Sequence, residues 1–240
     1  MKPILFNADM VRAILGGGRK TVTRRVVKLK YSNTHLEMFT NKYGTRLIEK
    51  QNEEPGVTTI KNSDGTTAHT LLACIEKAPP YRPGDILYVR ETWCVQSARR
   101  FDADARIMFK AGGDMVRIQF PGGGTQYHSR TQYDAFVHKW ADDRWHPSIH
   151  MPREAARIFL RVTDVRVERL QDITEKDMQQ EGVITRPLLN DFEKFISQKS
   201  FALLWDSTIK PADRALYDWE ANPWVWVIEF ERCERPGAAS

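Results

Sequence analysis

The sequence predicts an α+β fold around a small mixed barrel or sheet. Three observations point there. Strand-like alternation of apolar and polar residues marks Val162 to Glu168 and again Trp224 to Glu231, with helix-forming segments between them. A firm turn at Tyr81-Arg82-Pro83-Gly84-Asp85 feeds the apolar run Ile86 to Arg90. Two polar, turn-rich stretches, about 31–75 and 95–145, sustain no long period and read as insertions into one domain spanning 1–232. At 240 residues, 41% hydrophobic and with seven tryptophans, the chain can bury a core of its own.

The elements follow in order. Pro3 to Phe6 is a short strand, and the segment to Leu15 is a helix capped by Asn7 or Asp9. Val26 to Leu29 is extended, and 31–70 is expected to hold hairpins or loops, with turn signals at Asn62-Ser63 and Asp64-Gly65. One or two further hairpins are expected within 95–145, with Gly122-Gly123-Gly124 at a tip. Thr174, with Asp177 three residues on, opens a helix that Gly182 stops. A second helix covers Asp191 to Ile209 and is weakest at Ser197 to Ser200. In the last strand, Trp224 and Trp226 alternate with Val225 and Val227, so one face meets the core and the other the preceding helix. The segment 233–240 reads as a flexible tail.

Composition narrows the setting. A net charge of +5 is compatible with an anionic partner without requiring one. Cys74, Cys94 and Cys233 are widely spaced and odd in number, which suits reduced thiols in a cytoplasmic protein. No apolar run is long enough to span a bilayer, and no signal-peptide core is apparent. His146 and His150 are four apart across a proline, with no placed carboxylate or thiol to complete a site, so no metal and no cofactor are expected.

The densest chemistry lies in Gly16-Gly17-Gly18-Arg19-Lys20-Thr21-Val22-Thr23-Arg24-Arg25. A glycine hinge after a helix lets the backbone turn sharply. It leads into four cations within seven residues, with two hydroxyls between them. Such a run is commonly a solvated turn. It also suits phosphate or a polar nucleoside, and a lysine near a threonine is a base–nucleophile pair in outline. In a regular strand Lys20 and Thr23 face opposite sides, so that pairing requires Lys20 to sit on the turn.

In order along the chain, four pieces resemble an ASCH domain of the PUA-like superfamily. They are Gly18-Arg19-Lys20-Thr21-x-Thr23-x-Arg25, Pro83-Gly84-Asp85-x-Leu87-x-Val89, Ile173-Thr174-Glu175 with its helix to Glu181, and the closing Val227-Ile228-Glu229-Phe230. The segment Pro152 to Arg157 further resembles the larger ASCH proteins of phages and prophages. The resemblance implies a PUA-like mixed β-barrel with flanking helices, whose cleft binds RNA, a nucleoside or a modified base. Some compact members of that family are amidohydrolases that deacetylate N4-acetylcytidine with a lysine, a threonine and a glutamate. Carried onto this chain, these are Lys20, Thr23 and Glu181. Thr23 occupies a position where many family members carry glutamate, a departure that the deacetylating members share.

On this reading Thr23 is the nucleophile, Lys20 its base and Glu181 a proton relay. Thr21, Arg25, Arg90 and Trp93 are candidate substrate-binding residues, Trp93 by stacking on a base. Each has a structural alternative: Thr23 as a β-former, Glu181 as a helix-surface carboxylate, Trp93 as core. The expected substrate is an acylated cytosine nucleoside. A non-catalytic RNA- or nucleotide-binding module and a ribonuclease are the alternatives.

Overall fold

The computed structural model describes residues 1–31, 34–42, 44–52, 59–61, 67–69, 75–123, 131–183 and 191–237. The chain opens with β1 (Lys2–Leu5), α1 (Ala8–Leu15) and β2 (Val22–Val26). The hairpin β3 (Thr34–Asn41) and β4 (Gly44–Gln51) follows, then the paired β5 (Thr59–Lys61) and β6 (Thr67–His69), and β7 (Ile75–Glu76), which adds to β4. Next come β8 (Ile86–Arg90), β9 (Trp93–Arg99), β10 (Asp104–Phe109), β11 (Val116–Gln119) and α2 (Thr131–Trp140). The C-terminal part comprises β12 (Phe159–Arg169), α3 (Glu175–Gln180), α4 (Asp191–Thr208), α5 (Arg214–Tyr217) and β13 (Trp224–Cys233).

This is a mixed α+β structure whose centre is a five-stranded sheet in the order β1-β8-β12-β13-β2. β1 runs parallel to β8, and the remaining pairs are antiparallel. β13 separates the two sides of the sheet. Its Ile228 and Phe230 pack with Ile4, Phe6, Val11 and Ile14 around α1, whereas Val225 and Val227 pack with Met178, Phe201 and Trp205 of α3 and α4. Burying each such side chain contributes about 1.5–3 kcal/mol, so a one-residue slip, which would reverse both faces, is strongly disfavoured. The division expected of the Trp/Val alternation is present: the valines face the helix α4, and Trp226 packs toward the α1 side.

Among the described residues no ladder joins β1 to β2, so the sheet is open. The two edge strands are nevertheless within side-chain reach, because Arg25 Nη2 donates to the Leu5 carbonyl at 2.8 Å. The site lies beside this opening.

Several expectations need correction. The strand after the glycine hinge runs through the basic cluster, Val22 to Val26, rather than starting at Val26. Pairing with β13 supplies its backbone partners, and the two-residue period sends Arg24 and Arg25 to opposite faces. The 95–145 excursion starts at Trp93 and holds a helix as well as strands. In α2, Tyr133 is buried, and Phe136 and Trp140 pack on the same cluster as Trp93. Tertiary burial therefore stabilises a helix whose ten residues show no sustained period. The β10–β11 tip is formed by Gly112 and Gly113, both at positive φ, not by the triple glycine. Gly122 and Gly123 follow β11, and Gly124 lies outside the described residues, as do Cys74 and the turns at Asn62-Ser63 and Asp64-Gly65. α4 continues through Ser197 to Ser200, and β13 extends to Cys233, shortening the expected tail.

The first excursion is held by one carboxylate. Glu49 of β4 accepts from the Lys30 and Tyr31 amides and from Thr34 Oγ1 at 2.8, 2.9 and 2.5 Å, and pairs with Lys77. Burial raises its pKa, but these donors outweigh burial and bring it down to about 2. No described helix is long and apolar enough to cross a membrane.

Candidate active site

α1 delivers the first functional side chain. Asn7 caps its start through the Met10 amide, and Gly16 ends it by donating to the Arg12 carbonyl at 2.8 Å. Gly17 and Gly18 adopt φ of +95° and +67°, which L side chains rarely tolerate, and this reverses the chain. The Lys20 amide then donates to the Ala13 carbonyl at 3.3 Å and the Thr21 amide to Gln180 at 2.8 Å. Lys20 thus precedes β2 and sits on the turn, but its amine makes its hydrogen bonds to Val22 and Glu181 and none to Thr23.

α3 delivers the second. Thr174 and Asp177 form a reciprocal capping box at its start. At its end, Gly182 at φ +82° donates to Gln179 and Val183 to Met178, the two bonds of a Schellman motif. Glu181 is therefore fixed as the C-cap and points inward. It is buried, not the surface carboxylate that its place before a glycine stop suggests.

Lys20 and Glu181, separated by 161 residues, meet at 2.5 Å between Nζ and Oε2. The Lys20 ammonium also donates to the Val22 carbonyl at 2.9 Å and the Glu181 carbonyl at 3.2 Å, so all three of its protons have acceptors. The other Glu181 oxygen lies 3.3 Å from Arg24 Nη1, and Arg24 Nη2 is 3.0 Å from Asp177. Burial pushes the Lys20 amine below its ordinary value of 10.5, Glu181 opposes that, and Arg25 and Arg24 add to it. Burial also raises the pKa of Asp177, but its bonds to Thr174 and the charges of Arg24 and Arg166 hold it below the usual carboxylate range.

Thr23 lies on the face of β2 shared with Arg25 and opposite Arg24. It is buried. Lys20, Thr23, Arg24, Arg25 and Glu181 line one cleft of about 80 Å³, walled by Met10 of α1 and by Phe201, Leu204, Trp205 and Thr208 of α4. The Lys20 and Arg25 cations lie 5.7 and 5.5 Å from the Phe6 ring centroid. Arg25 is half-buried and has no carboxylate within 4.0 Å among the described residues.

Three expected binding residues lie elsewhere. Thr21 is next to the cleft but its backbone is committed to Gln180 and Phe230, and its side chain does not line the cleft. Arg90 donates to the Ile149 carbonyl at 3.0 Å and covers the Tyr88 ring. Trp93 is fully buried between Phe136, Trp140 and His146 and has no exposed face for a base. Its core alternative holds because β9 turns into the second excursion, away from α1. Among the described residues no three His, Cys, Asp or Glu side chains converge to hold a metal ion.

Sequence reasoning passed over Arg24 and the α4 wall as site components. Arg24 was legible in principle from its place in the basic run four residues after Lys20, and its contact with Glu181 joins it to the site. The α4 residues carried no such signal, since a Phe201–Trp205 pair at helical spacing reads as core.

The arrangement brings an amine and a carboxylate into contact at one cleft that Thr23 and Arg25 also line, and Arg25 has no ion-pair partner among the described residues. Compared with known proteins, the chain matches no family model, no curated protein and no solved structure.

Proposed function

We propose that the protein is an amidohydrolase that removes the acyl group from an N4-acylated cytosine nucleoside such as N4-acetylcytidine, using Thr23, Lys20 and Glu181. One observation carries the reading: the 2.5 Å contact of buried Lys20 and Glu181 at a cleft whose lining includes Thr23. The Arg25 bridge from β2 to Leu5 supports a PUA-like barrel that closes through a side chain in place of a ladder. The reading includes a cytoplasmic location.

In the reaction, neutral Lys20 takes the Thr23 proton as the hydroxyl oxygen attacks the acyl carbon. The carbon–nitrogen bond breaks, and the proton passes by way of Lys20 and Glu181 to the leaving exocyclic amine. Water then attacks the threonyl ester, releasing the carboxylic acid and restoring the hydroxyl. Arg25 lines the cleft as a cation with no ion-pair partner among the described residues, suited to a developing oxyanion. The depressed Lys20 pKa makes the neutral amine available at lower pH than for a free lysine.

A second reading, a nucleotide-binding module, draws on a different observation. The three acceptors around Nζ hold Lys20 as an ammonium, and Glu181 faces a second cation, so the trio can serve as a fixed scaffold under Arg25.

Incubation with N4-acetylcytidine, following loss of the acylated chromophore, tests the first reading. Turnover is expected in the native protein and a loss of about a thousandfold or more in Thr23→Val, a near-isosteric change that keeps the fold. Lys20→Ala is expected to abolish turnover. Native protein that leaves the substrate intact rejects the hydrolase, and salt-sensitive binding of RNA or a nucleotide then favours the module.

A further inference from the structure

The cleft at Lys20, about 80 Å³, is well below the roughly 300–1,000 Å³ that pockets for whole small molecules occupy. It has room for an acyl group or the edge of a base. A second cavity of about 350 Å³ lies beside it, and Arg25 lines both. Its walls are Tyr81, Trp226, Lys28, Lys77 and Pro80, with the β2 backbone leading out of the site.

The chemistry of this cavity is aromatic and cationic, with no acidic residue in its wall. The three cations differ in availability. Lys77 is neutralised by Glu49 and donates to the Lys28 carbonyl at 2.9 Å. Lys28 is largely exposed, with Asp213 at a loose 3.9 Å. Arg25 has its hydrogen bonds to Leu5 and Arg24 carbonyls but no carboxylate partner among the described residues. Tyr81 is pinned by donating to the Pro3 carbonyl at 2.7 Å, and the half-buried Trp226 makes no ring contact with another described aromatic. Rigid aromatic faces beside the exposed, loosely paired Lys28 and an Arg25 with no ion-pair partner among the described residues suit a ligand that is both planar and anionic.

We propose that this second cavity is a nucleotide subsite, in which Trp226 and Tyr81 receive the base and ribose and Lys28 receives a phosphate, while the acyl group crosses Arg25 into the Lys20 cleft. The inference rests on the proposed deacylase reading, because the two cavities hold two parts of one substrate. It deepens that reading by assigning the substrate to phosphorylated cytosine nucleotides, free or within a strand, over the bare nucleoside.

Calorimetric titration of the intact protein with cytidine and with cytidine 5′-monophosphate tests it. The monophosphate is expected to bind about tenfold or more tightly. That advantage is expected to shrink as salt is raised and to vanish in Lys28→Glu, an exposed change whose unaltered melting temperature shows an intact fold. A short cytosine-bearing RNA serves as the second arm. Tighter binding than the monophosphate identifies a strand as the source of the phosphate, and weaker binding identifies the free nucleotide. Equal affinity for cytidine and its monophosphate, no binding of the monophosphate, or an advantage that survives Lys28→Glu overturns the subsite. The two readings separate cleanly. Monophosphate binding without hydrolysis of any acylated form sinks the deacylase and keeps the subsite, while hydrolysis of nucleoside and nucleotide with the same KM does the reverse.

Discussion

The Lys20–Glu181 pair and the Glu91–Arg157 pair both bury opposite charges drawn from distant parts of the chain, and their surroundings could hardly differ more. Arg157 grips Glu91 in two parallel bonds of 2.9 and 2.8 Å, spends its remaining donors on the Asp114 and Gly112 carbonyls, and lies 4.0 Å from the Phe109 ring centroid. Gly113 presses so close that an added Cβ would stand 2.8 Å from the guanidinium. That pair is sealed. It clamps the β10–β11 tip onto the end of β8 and leaves nothing for a ligand to touch. Lys20 and Glu181 border a cleft that Thr23 and Arg25 also line, and Arg25 has no ion-pair partner among the described residues. Buried charge is therefore no sign of chemistry by itself, because removing charges from water must be compensated wherever it occurs. Adjacent space and an unspent polar group are what separate a site from a clamp.

Exchanging the roles of the two pairs by mutation is the strongest way to break this contrast. Arg157→Ala strands a buried carboxylate and frees two carbonyls, so unfolding by denaturant should show a loss of about 3–5 kcal/mol. The protein that remains folded should turn over acylated substrate at the native rate. Thr23→Val should do the opposite, removing turnover while changing the unfolding free energy by no more than about 1.5 kcal/mol. A stable Arg157→Ala variant with lost turnover would invert the assignment.

A third buried carboxylate, Glu49, sharpens the comparison by acting through pH. Its pKa falls from an ordinary 4.5 to about 2 on folding. Its contribution is thus complete above the unfolded value and is lost as pH drops from about 4.5 toward 2. The full effect is about 3 kcal/mol. Acid titration monitored by circular dichroism should show Glu49→Gln as less stable than native at neutral pH, with the gap closing in that window.

Gly182 offers a smaller perturbation of the cleft itself. Its positive φ and an added Cβ only 2.9 Å from Ala13 make Gly182→Ala costly by about 1–2 kcal/mol, readable as a lower melting temperature. Turnover should fall as well, since this residue seats Glu181 against α1. The smallest expected effect is a shift in profile. Glu181 raises the Lys20 pKa against burial, so in Glu181→Gln the acid limb of the pH–rate curve, where the base becomes protonated, should move to lower pH. A limb that stays in place would show that Lys20 is not the titrating base.

Much of this was legible from local chemistry. The Asn7 cap, the Thr174–Asp177 capping box, the Gly182 stop and the turn into Ile86 to Arg90 depend on residues within a few positions of one another. Lys20 and Thr23 stood out for the same reason, lying on and just after a glycine-hinged turn. The helix α2 did not, because its stabilisation comes from Trp93, some forty residues earlier. Trp93 itself was misassigned to a cleft because its burial depends on Phe136, Trp140 and His146, which no local pattern connects to β9.

By itself the sequence determined the caps, the turns, the strand periods and the types of reactive side chain available, since each follows from short-range sterics and hydrogen bonding. The tertiary structure decided which of those side chains meet. Only the packing of α3 and α4 against β2 and β13 brings a carboxylate 161 residues away to the amine of Lys20, leaves Arg24 neutralised and Arg25 bare, and sets a larger cavity beside a smaller one. Long-range burial and Coulomb interactions act through space, and their partners are fixed only when the chain has folded.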